Sequence, residues 1–152
     1  MIDLSHLNTF VRSPHFKMTN HTTLASLLVP PNWAASLDLQ DAYLHVPIRP
    51  NLHKFLAFSH GNKLFFFNAL PFGLNVAPAT FTSLLRHPLS ILHEMGIPTL
   101  AYLDDWITWG PSPETVQRNL ELMISSLSRL GFLINLEKSF SGRDLFGDSL
   151  EL

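Results

Sequence analysis

The sequence predicts an α+β fold, an antiparallel sheet with helices packed on one face. Three observations predict it. Strand-like and helix-periodic segments succeed one another in the order strand, hairpin, helix, acidic hairpin, helix, strand. The 152 residues allow one domain with a real core and are too few for two ordinary ones. Two short acidic motifs, Ser36-Leu37-Asp38-Leu39-Gln40-Asp41-Ala42-Tyr43 and Tyr102-Leu103-Asp104-Asp105, stand in otherwise apolar, strand-like surroundings.

The first thirty-odd residues show no clear period. They read as irregular, with a short helix near Leu24 to Leu28 and a turn at Pro30-Pro31-Asn32. Ala34 to Leu39 is a buried strand. Gln40 to Val46 forms a helical turn or two before Pro47 and Pro50 stop it. Lys54 to Ser59 and Lys63 to Asn68 are β-rich runs joined by His60-Gly61-Asn62, a loop suited to a hairpin. Phe65, Phe66 and Phe67 are expected as sheet core and cover rather than as a stacking platform for bases. Leu70-Pro71-Phe72-Gly73-Leu74 is a loop.

Ala77 to Met95 follows as a helix whose apolar stripe is Phe81, Leu84, Leu85, Leu89 and Leu92, with a kink at Pro88 and a stop at Gly96 and Pro98. Thr99 to Tyr102 and Trp106 to Trp109 flank Leu103-Asp104-Asp105, a tight hairpin with acids at its tip. Ser112-Pro113-Glu114 opens a second helix with an N-cap, a proline at the first helical position and an acid facing the dipole. Val116, Leu120, Met123, Leu127 and Leu130 continue it until Gly131, and Phe132 to Asn135 is a short strand.

Composition narrows the function classes. The chain is 46% hydrophobic and 14% charged, which suits a globular protein and excludes disorder. It has no Cys, hence no disulfide framework, and this fits a reducing, intracellular compartment. Met1-Ile2-Asp3-Leu4 lacks the start of a signal peptide, and no stretch nears the ~20 apolar residues of a membrane span. A net charge of −2 predicts weak hold on nucleic acid by this chain alone. None of the eight His shows metal-ligand spacing, so they are expected as surface or supporting residues.

The carboxylates carry the chemistry. Between Leu4 and Met95 the only acids are Asp38, Asp41 and Glu94, so the acidic motifs are not part of a generally charged surface. Clustered carboxylates repel one another and need a cation, yet Lys and Arg are scarce nearby. Hard oxygen ligands without Cys favour Mg²⁺ or Mn²⁺. Neighbouring residues of a strand point to opposite faces, so one of Asp104 and Asp105 should lead as ligand. Asp38 and Asp104, brought to one edge by adjacent sheet segments, would bridge two ions roughly 3.5–4 Å apart, the arrangement that serves in-line attack on phosphorus. A glycosidase pair of carboxylates is the rival, and it uses no metal.

Read in succession, Ser36-Leu37-Asp38-Leu39-Gln40-Asp41-Ala42-Tyr43, Leu70-Pro71-Phe72-Gly73-Leu74-Asn75-Val76-Ala77-Pro78-Ala79-Thr80-Phe81, Tyr102-Leu103-Asp104-Asp105, and Leu130-Gly131-Phe132 with Glu137-Lys138-Ser139 resemble consecutive motifs of the palm of retroelement reverse transcriptases. They cover most of Ile2 to Ser139. The wording of Asp41-Ala42-Tyr43-Leu44-His45-Val46-Pro47-Ile48 and Tyr102-Leu103-Asp104-Asp105-Trp106 is most similar to DIRS-like (tyrosine-recombinase) retrotransposons.

The resemblance implies an RNA-directed DNA polymerase that transfers a nucleotide from a dNTP to a primer 3′-OH on an RNA template. It implies Asp38 and Asp104 as metal-binding aspartates, the Leu39 carbonyl as a further ligand, and Asp105 as a nearby carboxylate that tunes the site. Asp41, Ala42 and Tyr43 would lie on the nucleotide, with Tyr43 a gate against the 2′-hydroxyl. Phe72 and Gly73 match a loop against the incoming nucleotide and template base. Tyr102 and Leu103 would lie near the primer end, and Lys138 near the departing pyrophosphate. Pro78 and Phe81 are structural.

The resemblance also implies a partial right hand. Residues 1–33 would be a remnant of the fingers and a lead-in, 34–139 the palm, and 140–152 a truncated tail in which Leu145-Phe146-Gly147 resembles a primer-gripping hairpin. The fingers hairpin and thumb would be missing, leaving activity weak alone and apolar surface free for self-association or for complementary segments such as a thumb or RNase H. The alternative is a non-catalytic retroelement remnant or interaction module.

Overall fold

The computed structural model describes residues 2–14 and 33–144. Strand β1, Trp33–Leu39, has period 2: Ala35, Leu37 and Leu39 are buried while Ser36 is exposed and Asp38 half-buried on the opposite face. Strand β4 spans Thr99–Tyr102, β5 Asp105–Gly110 and β6 Ile134–Asp144. Together they form one antiparallel sheet in the order β4-β5-β1-β6, with β1 in an interior position.

Two helices cover one face. Helix α2, Ala77–Glu94, buries Phe81, Leu85, Pro88 and Leu92, and helix α3, Pro113–Arg129, buries Val116, Leu120, Met123 and Leu127. These side chains, with Ala35, Leu37, Leu39 and Trp106 from the sheet, make the main core. The expected stripe of α2 is shifted: Leu84 is exposed and Pro88 takes its place at helical spacing between Leu85 and Leu92.

Both helices end in the same way. The N–H of Gly96 reaches the carbonyl of His93 at 2.9 Å and that of Ile97 reaches Leu92 at 3.0 Å; Gly131 to Ser128 and Phe132 to Leu127 repeat the pattern at 3.0 Å each. These are Schellman caps, and they require the positive φ of Gly96 and Gly131, 75° and 91°. Each cap also buries an apolar pair, Ile97 with Leu92 and Phe132 with Leu127.

A second, smaller core lies under the turns that precede α2. Leu56, Leu70, Leu74 and Ala77 form it, and Leu4, Leu7 and Val11 from the first described segment pack against it. That segment contains the one-turn helix α1, Ser5–Asn8. 3-10 segments span Ala42–His45 and Pro50–Leu56. The β2–β3 hairpin, Ala57–His60 with Lys63–Phe66, forms a two-stranded sheet that among the described residues pairs with no other strand.

Four sequence expectations change here. Lys54 to Leu56 is 3-10 helix rather than strand, because Pro50 starts a turn that carries through to Leu56. Phe65 and Phe66 are exposed rather than core, because their hairpin stands apart from the main sheet; Phe65 stacks on Phe58 and Phe66 on His53. Leu130 is exposed as the last residue before the glycine cap. The last strand is far longer than Phe132 to Asn135, since β1 offers it a free edge to pair with. The helix expected near Leu24 to Leu28, the turn at Pro30-Pro31-Asn32 and the tail at Leu145-Phe146-Gly147 lie outside the described residues.

Candidate active site at the sheet margin

The sheet face without helices carries a polar row at one end. Tyr102 of β4 pairs with Asp105 of β5, Asp105 with Asp38 of β1, and Asp38 with Asn135 of β6. Directly opposed residues in antiparallel strands share a face, so these four side chains stand side by side. Asp104 precedes Asp105 in the β4–β5 turn, and its carbonyl accepts from the Leu39 N–H at 2.9 Å. The turn holds only Leu103 and Asp104; Asp105 already belongs to β5, so one acid and not two sits at the hairpin tip. The spacing of the two motifs in sequence thus becomes adjacency on neighbouring strands.

Leu103 adopts φ 56°, a left-handed conformation that costs a leucine roughly 1–2 kcal/mol. A positive φ at the first of two turn residues lets the loop follow the twist of the strands. The Leu103 side chain packs against the main core, which is why the sequence carries leucine where glycine would be unstrained.

The carboxylates press on one another. Partial burial first, then the charges of Asp104 and Asp38, push the Asp105 carboxyl above its ordinary value, and Lys138 opposes the shift. Lys138 reaches this position through a bulge. Between the Ser36–Phe140 and Asp38–Asn135 pairs β1 advances two residues while β6 advances five, so residues 136–139 of β6 stand against Leu37 alone in β1. Ser139 closes the gap: its Oγ accepts from the Asp38 N–H at 3.2 Å and donates to the Asn135 carbonyl at 2.8 Å. The Lys138 N–H in turn donates to Asn135 Oδ1 at 3.4 Å.

Tyr43 stands beside the acids. Its phenol is pushed up by burial first, then by the charges of Asp104 and Tyr102. The ring lies 4.9 Å from that of Phe72 and 5.6 Å from that of Phe81, and it packs against both cores. Asp41 opens the turn that carries it, at φ 52°, with its carbonyl accepting from the Leu44 N–H at 2.8 Å. Ala42 is buried under that turn, Phe72 is 52% exposed, and Gly73 has φ 90°. Phe81 is fully buried and Pro78 sits in the first turn of α2, as expected of structural residues.

Several residues at the site have no individual role that the sequence assigns. His45 joins the Tyr43 turn to the start of β6: Nε2 accepts from the Leu133 N–H at 2.9 Å, so Nδ1 carries the hydrogen shared with the Ala42 carbonyl at 3.1 Å. Asn8 and Asn75 join the first segment to the Phe72–Gly73 loop. Ser139 and Asn135 shape the β6 bulge. His45, Asn75 and Asn135 stand as isolated polar residues in apolar stretches, whereas Asn8 and Ser139 lie among polar neighbours and carry no such signal.

Among the described residues no three His, Cys, Asp or Glu side chains form a ready-made metal-holding group. The donor chemistry nonetheless suits a hard cation: crowded carboxylates, one of them held above its ordinary value by burial first and then by the charge of the others, with Lys138 opposing the shift. No helix among the described residues is long and apolar enough to cross a membrane.

An antiparallel sheet backed by two helices, with acids where β1 meets the β4–β5 turn, defines a polymerase-palm class of fold. The family model described as reverse transcriptase (RNA-dependent DNA polymerase) matches residues 4–143, and the chain belongs to that family. Protein P of duck hepatitis B virus (strain United States/DHBV-16) is 29% identical over 132 residues, 85% of this chain and 16% of that one. The retrovirus-related Pol polyprotein from transposon opus of Drosophila melanogaster is 33% identical over 141 residues, 91% of this chain and 14% of that one. Among solved structures, native prototype foamy virus protease-reverse transcriptase superposes with a TM-score of 0.81 at 22% identity, over 94% of this chain and 19% of that one. The foamy viral enzyme in complex with an RNA/DNA hybrid gives 0.79 at 23% identity, over 93% and 19%. The chain therefore spans about one sixth of the length of such relatives.

Proposed function

We propose that this chain is the palm portion of an RNA-directed DNA polymerase, and that Asp38, Asp104 and Asp105 form its nucleotidyl-transfer centre. The observation that carries the reading is the pairing of Asp38 with Asp105 across β1 and β5, with Asp104 held against Leu39 next to them. In the reaction a primer 3′-oxygen bonds to the α-phosphorus of a dNTP, the α–β bridge breaks and pyrophosphate leaves. Magnesium, or manganese in its place, supplies the positive charge that this exchange of oxygens on phosphorus requires.

The residues divide the remaining work. Asp38 and Asp104, with the Leu39 carbonyl, would hold the cations, and Asp105 would tune the charge of the group. Tyr43, wedged between Phe72 and Phe81, keeps a fixed ring edge beside Asp104 and excludes a 2′-hydroxyl. Asp41, Ala42, Phe72 and Gly73 line the nucleotide, Tyr102 and Leu103 adjoin the primer end, and Lys138 offsets charge on the departing pyrophosphate. An RNA template with a DNA primer is the matching partner, in keeping with the nucleic-acid complexes of the foamy viral enzyme. Residues 1–33 serve as lead-in, 34–139 as palm and 140–152 as tail. The wording around Asp41 to Ile48 and Tyr102 to Trp106 supports a DIRS-like origin, which a tyrosine-recombinase reading frame in the neighbouring nucleotide sequence would bear out.

The test is thermal melting of the 152-residue chain with Mg²⁺ or Mn²⁺ and with dNTP, beside primer extension. Unmodified chain is expected to gain stability with metal, by RT ln(1 + [metal]/Kd). Asp38→Asn and Asp104→Asn are expected to lose that gain while melting normally in chelator. Templated extension by these residues alone is expected to be weak, since positioning errors near 1 Å cost about 10²-fold in rate. A chain indifferent to metal, dNTP and template-primer would favour the non-catalytic remnant.

A further inference from the structure

The loop that carries Phe72 and Gly73 has no strand or helix of its own, yet it is tied from behind by a segment more than sixty residues away in sequence. The Asn8 carboxamide makes two bonds at once: Nδ2 donates to the Gly73 carbonyl at 2.8 Å and Oδ1 accepts from the Asn75 N–H at 2.8 Å. Asn75 answers with its own amide, donating to the Asn8 carbonyl at 3.2 Å and to the Val11 carbonyl at 2.9 Å. Ser13 Oγ donates to the Asn75 carbonyl at 3.2 Å. Leu4, Leu7 and Val11 anchor the segment in the smaller core, so the clamp is attached to something that does not move freely.

A glycine at φ 90° leaves the direction of its carbonyl weakly determined by local preference. Asn8 determines it instead. Fixing the Gly73 carbonyl and the Asn75 amide also fixes the residue between Pro71, which is buried, and Gly73: that residue is Phe72, whose ring lies on Tyr43. An amide side chain supplies a donor and an acceptor at this spacing whatever the pH.

We infer that Asn8 is a positioning residue for the incoming nucleotide. It sets the pose of Phe72 and Gly73 from the far side of the loop, and through that pose it sets dNTP affinity without touching the nucleotide or the carboxylates. The inference rests on the proposed placement of the nucleotide against that loop.

The test compares binding of a fluorescent dNTP in the presence of Mg²⁺ with binding of Mn²⁺ alone, read by water-proton relaxation, in Asn8→Ala, Asn8→Asp and Phe72→Ala. Asn8→Ala is expected to weaken dNTP binding about tenfold, the scale of one or two net hydrogen bonds, with Mn²⁺ affinity unchanged. Asn8→Asp keeps the shape and the acceptor for Asn75 but loses the donor to Gly73. It should weaken the nucleotide similarly while the Asn75 amide stays protected from hydrogen exchange, protection that Asn8→Ala abolishes. Should Asn8→Ala fail to fold, the Asp variant carries the measurement.

If Phe72→Ala weakens dNTP binding and neither Asn8 variant does, the positioning role is overturned. An equal loss of Mn²⁺ and dNTP affinity in the Asn8 variants would reduce Asn8 to a general stabiliser and also overturn it. If Phe72→Ala leaves dNTP binding intact, or the unmodified chain binds no dNTP, the placement of the nucleotide itself fails and the inference falls with it.

Discussion

Leu103 and Asp105, two residues apart, show how single positions at this site are set by opposing demands. Leu103 bears backbone strain and offsets it by packing on the core. Leu103→Ala keeps the strain and loses the packing, whereas Leu103→Gly loses the packing and relieves the strain. Urea denaturation should therefore find the glycine variant more stable than the alanine variant by about 1 kcal/mol, the reverse of the usual order. Asp105 makes the pH prediction. Its folded-state pKa lies above the ordinary 3.8, so within that window the folded chain binds more protons than the unfolded one. In chelator, the Asp105 contribution to stability should fall as pH rises from 3.8 through the raised value. Asp105→Asn should remove that slope, as read by melting temperature against pH.

Helix α3 is the element whose sequence and structure agree most closely, and its start explains why β5 ends where it does. Ser112 Oγ accepts from the Thr115 N–H at 3.2 Å and lies 3.1 Å from Thr115 Oγ1. The Glu114 carboxyl is held below its ordinary range by its hydrogen bond with Ser112, a second sign of the ordered first turn. Gly110, the last residue of β5, packs on the same threonine: a Cβ there would come within 2.8 Å of Thr115 Cγ2. Ser112→Ala should cost about 1 kcal/mol as a lost cap. Gly110→Ala should cost about 1–3 kcal/mol as overpacking, because Thr115 is β-branched and already bonded. Equilibrium urea unfolding of the two variants checks both values.

Across the whole molecule the charges and the apolar surface are unevenly spread. Residues 42–93 hold Arg49, Lys54, Lys63 and Arg86 with no acid among them, while Asp38, Asp104 and Asp105 meet at the sheet margin. The same part of the chain exposes Phe55, Leu64, Phe65 and Phe66, which lie on or beside the free-standing hairpin. Exposed apolar groups concentrated in this way promote association. Sedimentation of the 152-residue chain should show self-association that weakens on Leu64→Lys, with the melting temperature little changed, since Leu64 is 74% exposed. Association insensitive to that change would locate the sticky surface elsewhere.

The order of elements, the two helix starts and stops, and the isolation of the two acidic motifs were legible because each rests on local rules. Period 2 and period 3.6 mark strands and helices, Ser-Pro-Glu and glycine mark ends, and acids are conspicuous in an apolar stretch. The exposed hairpin was not legible, because a run of phenylalanines reads the same whether or not a second layer covers it. Nor was the β6 bulge that carries Lys138, or the reach of Asn8 to Gly73, since both depend on strands and loops that meet only after folding. The sequence by itself thus determined the order of the elements and which of them carry the acids of the two motifs. Tertiary structure alone decided that Asp38 faces Asp105 and that Asn8 holds the Phe72 loop, because register and long-range hydrogen bonds are properties of packed elements rather than of the segments that enter them.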